Sequence, residues 1–201
     1  MTEGGTGERR RRRRPMSSRR RRNRRRYYIY EIFSTLIYVT LVYLLCIGVV
    51  RFVGQKTVVE GSSMSPAMEN GDSLLVDKFS YQFSDPKRFD IIIFQYLYKE
   101  DSYYIKRVIG LPGETVQIID GYIYIDGERL EEDFGSEIMD NPGRAASPVI
   151  LGEDEYFVLG DNRNCSSDSR DPLVANVARG QIMGKAFIRI APLERIGFLR
   201  H

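Results

Sequence analysis

A stretch of nineteen residues without a charge, from Ile32 to Val50, constrains the fold of this chain most strongly. As a helix rising 1.5 Å per residue it would be about 28 Å long, close to the hydrocarbon thickness of a bilayer. The apolar sequence extends over residues 27–53 and lacks the short apolar region and small-residue cleavage site of a secretory signal. The sequence therefore predicts one transmembrane helix over residues 27–53.

The segment before this helix is strongly basic. Residues 1–26 contain thirteen arginines against Glu3 and Glu8, a charge of +11, so the remaining 175 residues carry −8. Because no apolar residues are spaced to form a core, we expect residues 1–26 to be disordered. A basic arm can bind nucleic acid. Its position beside the predicted helix instead favours an orientation signal that contacts anionic lipid, with no nucleic-acid partner.

This charge asymmetry also predicts the topology. Arginine-rich flanks lie on the cytoplasmic side of a membrane helix. We therefore expect a single-pass protein of the cell membrane, with a cytoplasmic N-terminus and with residues 54–201 forming an extracytoplasmic domain.

The domain after the helix is expected to be mainly β, with antiparallel strands. Asp120-Gly121 and Asp126-Gly127 are typical of tight hairpin turns, since they tolerate positive φ. A polar stretch with several Gly and Pro residues follows, so residues 111–155 are interpreted as a loop-rich hairpin excursion. Runs of β-branched and aromatic residues predict strands at 90–94, 103–110, 115–119, 122–125, 156–159 and 182–190.

The chain has two cysteines and one histidine, too few to favour a disulfide, a histidine-based catalytic triad or a metal site. Cys46 lies in the predicted membrane helix and Cys165 in the β domain, so no disulfide is expected. His201, the only histidine, is the last residue, which makes a Ser-His-Asp triad hard to build. The sequence predicts no metal site and no cofactor.

A serine nucleophile with a lysine base remains possible. Gly61-Ser62-Ser63-Met64-Ser65-Pro66 is the first exposed segment after the apolar helix and offers candidate nucleophiles. Serine needs a neighbouring base, and a lysine serves if burial lowers its pKa and so raises its neutral fraction. Lys106 lies among β-formers that would bury its stem, and Arg107 should face the opposite side of that strand.

Several sequence blocks together carry a family resemblance. In their order and spacing they resemble bacterial type I signal peptidases, over nearly all of the chain from residue 27 onward, and the compact Gram-positive form more than the two-span form. After the apolar helix, the blocks are Ser63-Met64-Ser65-Pro66 with Gly71-Asp72, Arg88-Phe89-Asp90-Ile91-Ile92-Ile93-Phe94, Tyr104-Ile105-Lys106-Arg107-Val108-Ile109-Gly110-Leu111-Pro112-Gly113-Glu114, and Gly160-Asp161-Asn162-Arg163-Asn164-Cys165-Ser166-Ser167-Asp168-Ser169-Arg170.

The resemblance implies a role for each matching position. Ser63 would be the nucleophile, Lys106 the general base, and Ser166 the residue that hydrogen-bonds and orients the lysine. The implied supporting residues are an Asp168–Arg170 ion pair, with Asp161 and Arg163 holding the same loop. Cys165 stands inside this block and is interpreted as a packing residue.

The oxyanion donors and the substrate pocket follow from the same resemblance. One oxyanion donor would be the backbone amide of Ser63. Some family members add a serine hydroxyl two residues earlier, but this chain has Gly61 there, whose amide is expected to take that place. Pockets for small substrate side chains are expected to be lined by Met64, Met68, Tyr104 and Ile105.

The implied activity is removal of N-terminal signal peptides from exported preproteins, with cleavage after small residues at the first and third positions before the bond. Partners would be secretory preproteins emerging from the export machinery and the lipid bilayer. Two alternatives stay open at this point. They are a catalytically silent membrane-anchored β module and a self-cleaving Ser/Lys regulator, although the latter would normally carry a DNA-binding domain. The sequence makes no prediction of oligomeric state.

Overall fold

The computed structural model describes residues 18–53, 55–99, 102–135 and 137–200. The chain divides into two compact units, residues 1–47 and 48–201, which are described separately. Residues 1–17 of the basic segment lie outside the described residues, so the expectation of disorder there stays a prediction.

A single long helix, α1, runs from Ser18 to Val53. Within it, Arg26–Gly48 is long and apolar enough to cross a membrane. The described apolar side chains of this stretch are largely exposed, as expected of a surface covered by lipid. Residues 18–26 are helical, whereas the sequence predicts disorder for them. Arginine has a high helix propensity, and extending an existing helix requires no new nucleus.

Among the described residues, twelve strands and short 3₁₀ turns follow the helix, and every strand pair is antiparallel. The expectation of one N-terminal apolar helix followed by antiparallel β structure is confirmed. In chain order the strands are β1 Gln55–Val58, β2 Ser73–Asp77, β3 Ile91–Gln95, β4 Tyr103–Gly110, β5 Thr115–Ile119, β6 Tyr122–Ile125, β7 Glu128–Arg129, β8 Val149–Ile150, β9 Glu155–Leu159, β10 Val177–Ala178, β11 Ile182–Ala191 and β12 Gly197–Phe198.

The larger sheet has eight strands in the order β1-β2-β11-β3-β4-β9-β10, with β12 paired to β11. Strand β4 is central, since it pairs with both β3 and β9 and is buried over its second half. A central strand buried on both faces gives its polar side chains fixed surroundings away from water. The only lysine of β4 is therefore held rigidly.

The smaller sheet has four strands in the order β7-β6-β5-β8. Asp120-Gly121 and Asp126-Gly127 form the two tight turns that the sequence predicts, and all four residues have positive φ. The excursion at 111–155 is thus more regular than expected, because it adds β7 and β8 to the predicted hairpin.

Two loops meet next to strand β4 of the larger sheet. A cluster of buried residues that includes Val59, Met64, Met68, Leu74 and Ile93 packs beneath the β1–β2 connection. The loop after β9 approaches the same place through backbone contacts described below. The segment carrying Ser63, the strand carrying Lys106 and the loop carrying Ser166 are therefore assembled by the fold.

Candidate active site

Ser63 lies in the β1–β2 connection, which is tightly constrained. The backbone N–H of Val59 donates to Asp72 O at 2.8 Å, and that of Gly71 donates to Val59 O at 2.9 Å, closing the loop at its base. On one side of Ser63, Met64 is buried and anchors the segment in the core. On the other side, Ser62 is exposed. Ser63 is thus half-exposed at the edge of a fixed turn.

Lys106 of β4 reaches Ser63 from the sheet. Its Nζ is 2.7 Å from Ser63 Oγ and 3.0 Å from the carbonyl oxygen of Ile105. The residue is only 3 % exposed, and in the ladder it lies opposite Ile92 of β3. The structure therefore brings Lys106 to Ser63, one of the candidate serines of the sequence, whereas Ser62 is exposed.

The surroundings of Lys106 favour its neutral form. Burial lowers the pKa of this lysine from 10.5 to about 8, although the charges of Asp168 and Asp161 act in the opposite direction. At pH 7 a pKa of about 8 leaves roughly 10 % of the amine neutral, against roughly 0.03 % for an ordinary lysine. Burial therefore gives Lys106 a much larger neutral fraction than an exposed lysine has at the same pH.

Arg107 faces the opposite side of β4, as the alternation of side chains along a strand predicts. It is fully buried, and its Nε and Nη2 bind the two carboxylate oxygens of Asp161 at 2.8 and 2.7 Å. The ring of Phe134 packs 3.8 Å from its guanidinium carbon. This bidentate ion pair ties the strand that carries the base to the loop that begins at Gly160. No sequence pattern indicated the pairing of Arg107 or the contact with Phe134.

The loop after β9 holds the Ser63 segment directly. The backbone N–H of Asn162 donates to Ser63 O at 3.1 Å, and its Nδ2 donates to Ser62 O at 3.2 Å. Gly160 is required for this approach, since a Cβ there would lie 2.4 Å from Ser63 O and 2.2 Å from Ser166 Oγ. Asn162 stands in the recognised block but received no role from the sequence.

Ser166 differs from the expectation that it hydrogen-bonds Lys106. Its Oγ is buried and has no hydrogen-bond partner among the described residues. It packs against the Cα side of Gly160, whereas Lys106 Nζ bonds Ser63 and the Ile105 carbonyl. Ser166 thus lies next to the Ser63 segment without orienting the lysine in this conformation.

Each of the four supporting residues forms an ion pair, two of them with residues outside the set. Asp168 and Arg170 pair at 2.8 Å, as the resemblance implies, and Asp168 also accepts the Gly160 N–H at 3.2 Å. Arg163 binds Gly160 O at 3.1 Å within the loop and Glu132 at 2.7 Å outside it. No sequence pattern predicts the ion pair of Arg163 with Glu132, because folding of the excursion at 111–155 brings these two residues together.

The expected role of the Gly61 amide is contradicted. Gly61 has a φ of +91°, which favours glycine, and its N–H donates to Asn70 Oδ1 at 2.9 Å. That donor is therefore occupied. The N–H of Ser63 donates to no residue in the described part of the chain and stays available.

A cleft of about 510 Å³ opens beside Ser63 and Lys106. Met64, Tyr104 and Ile105 line it, as expected for a substrate pocket. Met68 does not line it, because the Met64–Met68 turn places Met68 underneath, fully buried in the core. Cys165 is exposed and lines the cleft, so its interpretation as a packing residue is wrong.

Metal-binding groups are not assembled in the described part of the chain, where no three His, Cys, Asp or Glu side chains are placed to hold an ion. Cys46 and Cys165 are both exposed free thiols.

Comparison with known proteins gives consistent matches. A family model described as signal peptidase, peptidase S26, matches residues 31–191. The chain is 37% identical over 161 residues to a probable signal peptidase I-2 of Synechocystis sp., covering 78% of this chain and 72% of that protein. It is 40% identical over 162 residues to a signal peptidase I of Leptolyngbya laminosa, with 77% of each chain covered.

Two further matches come from Bacillus caldolyticus and Enterococcus faecalis. The chain is 38% identical over 160 residues to a signal peptidase I of Bacillus caldolyticus, covering 73% of this chain and 85% of that protein. A crystal structure of a signal peptidase I from Enterococcus faecalis matches with 35% sequence identity and a TM-score of 0.43, covering 51% of this chain and 97% of the other.

Proposed function

The chain belongs to the signal peptidase family of S26 peptidases, and on that premise we propose that Ser63 is its nucleophile and Lys106 its general base. It is a membrane-bound serine peptidase that removes signal peptides. Family membership decides against a silent β module and against a self-cleaving regulator. The observation that carries the proposed dyad is the 2.7 Å separation between Nζ of the buried Lys106 and Oγ of Ser63.

The first half of the reaction forms an acyl-enzyme. The neutral amine of Lys106 accepts the proton of the Ser63 hydroxyl while Oγ attacks the scissile carbonyl carbon. The resulting oxyanion is stabilised by the free N–H of Ser63. When the tetrahedral intermediate collapses, the ammonium of Lys106 gives its proton to the departing amine, and the signal-peptide carbonyl remains as an ester on Ser63.

The second half releases the signal peptide. Lys106, neutral again, takes a proton from a water molecule that attacks the ester carbonyl, and the proton then passes to Ser63 Oγ as the ester bond breaks. Both halves need the lysine uncharged at the start, so the lowered pKa of Lys106 contributes twice.

Substrate selection is proposed to take place in the cleft. Met64, Tyr104 and Ile105 give its wall an apolar surface next to Ser63. Shallow apolar walls suit small side chains at the first and third positions before the scissile bond. An extended substrate would lie along the exposed edge of the cleft and pair with its backbone as an added strand.

The topology is also proposed. The arginines of residues 1–26 favour a cytoplasmic N-terminus, which places the β domain on the outer side of the cell membrane. There it would meet preproteins as they emerge from the export machinery. Tagging each end of the chain and measuring protease accessibility in intact spheroplasts tests this arrangement.

The dyad is tested by cleavage of a preprotein in detergent micelles. Wild type and Ser62→Ala are expected to make the same cut, whereas Ser63→Ala and Lys106→Ala are expected to leave the preprotein intact. Circular dichroism checks that each variant is folded. Ser62→Ala is the matched control, because it removes the neighbouring hydroxyl. Cleavage by folded Ser63→Ala would disprove the assignment of the nucleophile.

A further inference from the structure

A second cavity of about 400 Å³ adjoins the cleft. Ser167 lines both cavities, so the second begins where the first ends, on the far side of the loop that follows Asn164. Its walls are polar and come from this loop and from the segment around Asp140 and Asn141. An extended chain that leaves the cleft past Ser167 enters this polar cavity.

The two cavities differ in the types of residue that line them. Val59, Met64 and Ile105 give the cleft an apolar wall beside Ser63. The polar cavity has no such wall, and its lining is mostly charged or amide side chains. Since the residues before the scissile bond are small and apolar in the proposed reaction, they belong in the cleft. The segment after the bond then extends into the polar cavity.

The free charge of the polar cavity is negative. Two of its cations are neutralised, since Arg163 pairs with Glu132 and Arg170 pairs with Asp168. Asp140 and Asp171 line the cavity and make no ion pair within the described residues. Asp140 is exposed, and the Asp171 carboxylate accepts only the Leu173 N–H.

Two residues of the cavity lining also carry a buried polar atom without a partner in the described part of the chain. Arg163 is 2 % exposed, and its Nη2 has no hydrogen-bond partner in the described part of the chain. The same holds for the buried Oγ of Ser166, which belongs to another residue of the lining. Buried donors without acceptors are rare in folded proteins.

We propose that this polar cavity binds the first residues of the mature protein, after the scissile bond, and that Asp140 and Asp171 make it favour basic residues there. The inference rests on the proposed peptidase function and adds a specificity to it. Opposite charges attract across a partly exposed site, and like charges repel, so lysine should be accepted and glutamate disfavoured.

The test uses peptides that are identical up to the cut and carry alanine, lysine or glutamate at the second to fourth positions after it. We expect kcat/KM of the full-length enzyme in micelles to be about tenfold higher for the lysine peptide than for the glutamate peptide. The ratio should fall toward one in the double variant Asp140→Asn/Asp171→Asn. An asparagine side chain in place of Asp171 keeps an oxygen that can accept the Leu173 N–H, so the local turn is preserved.

The matched control is Asp120→Asn/Glu153→Gln, which removes two exposed carboxylates outside both cavities and should keep the wild-type ratio. Raising the salt from about 0.05 M to about 1 M should lower the wild-type ratio, a result that requires no variant to fold.

Each outcome decides a different point. Failure of the wild type to cut even the alanine peptide would overturn the proposed function and the inference with it. Cleavage of all three peptides at equal rates would overturn the inference alone. A lysine preference that persists in Asp140→Asn/Asp171→Asn would show that other groups set it and would equally refute the assignment.

Discussion

Replacing Lys106 by methionine should abolish activity and yet stabilise the protein at neutral pH. Methionine keeps the apolar stem that fills the site next to Ile105, but it has no amine to take the proton of Ser63. Most core substitutions destabilise a protein. Stabilisation by this one would therefore be a specific consequence of the buried lysine.

The magnitude follows from the pKa of Lys106, which burial lowers from 10.5 to about 8. At pH 7 the unfolded chain binds this proton more tightly than the folded one, which costs the folded state about 3 kcal/mol at 1.36 kcal/mol per pKa unit. Methionine removes that cost but also loses the two hydrogen bonds of Nζ, about 1 kcal/mol each. The net gain expected at pH 7 is about 1–2 kcal/mol.

The sign of the pH dependence is fixed by the same difference. Because the unfolded state holds more protons between pH 8 and pH 10.5, wild-type stability should rise with pH across that window relative to Lys106→Met. Above pH 10.5 the lysine is neutral in both states, and the advantage of methionine should disappear. Activity of the wild type should increase about tenfold per pH unit below pH 8 and level off above it.

The assay is urea unfolding of the full-length protein in micelles, followed by tyrosine fluorescence and circular dichroism, since the chain has thirteen tyrosines and no tryptophan. Lys56→Met, a change at an exposed lysine of β1, is the control and should show no gain in stability. A lower stability of Lys106→Met than of wild type at pH 7, with a difference that does not change with pH, would refute the reasoning. It would show that burying Lys106 does not lower the free energy of unfolding.

Two further predictions concern the loop after β9. Gly160→Ala should lower kcat at least about tenfold in the peptide assay, because the added Cβ would force the Ser63 carbonyl away. Gly180→Ala is the control and should leave kcat unchanged, because the space around Gly180 is open. Asp161→Asn should cost about 3 kcal/mol in urea unfolding, since Arg107 is left buried with a neutral partner. An unfolding midpoint equal to that of the exposed-site variant Asp120→Asn would contradict this interpretation of the buried pair.

Local sequence patterns predicted the elements more reliably than the contacts between them. The apolar helix and the turns at Asp120-Gly121 and Asp126-Gly127 depend on residues next to one another, and the sequence predicts them correctly. Helicity of residues 18–26 was missed, because composition indicates disorder while the adjoining helix extends through it. The burial of Met68 likewise depends on how one turn packs on the sheet.

At the candidate site, the sequence pointed to Ser63 and Lys106 through motifs. The neighbours differ from the expectation: the Gly61 amide donates to Asn70, and the Ser166 hydroxyl makes no hydrogen bond to the lysine among the described residues. The sequence did not predict the two hydrogen bonds that Asn162 donates to the carbonyl oxygens of Ser62 and Ser63. Hydrogen-bond partners depend on distances of a few tenths of an ångström, which a motif does not encode.

The apolar helix, the β class of the domain and the candidate pair Ser63 and Lys106 could all be predicted from the sequence, because apolar length, strand periodicity and residue type act locally along the chain. Only the tertiary structure decided that Lys106 is buried, that its Nζ lies 2.7 Å from Ser63 Oγ, and that the polar cavity continues from the cleft. Burial and pKa depend on atoms far apart in the chain. Ser63 and Lys106 are separated by 43 residues, and only the packing of β4 beneath the β1–β2 connection joins them.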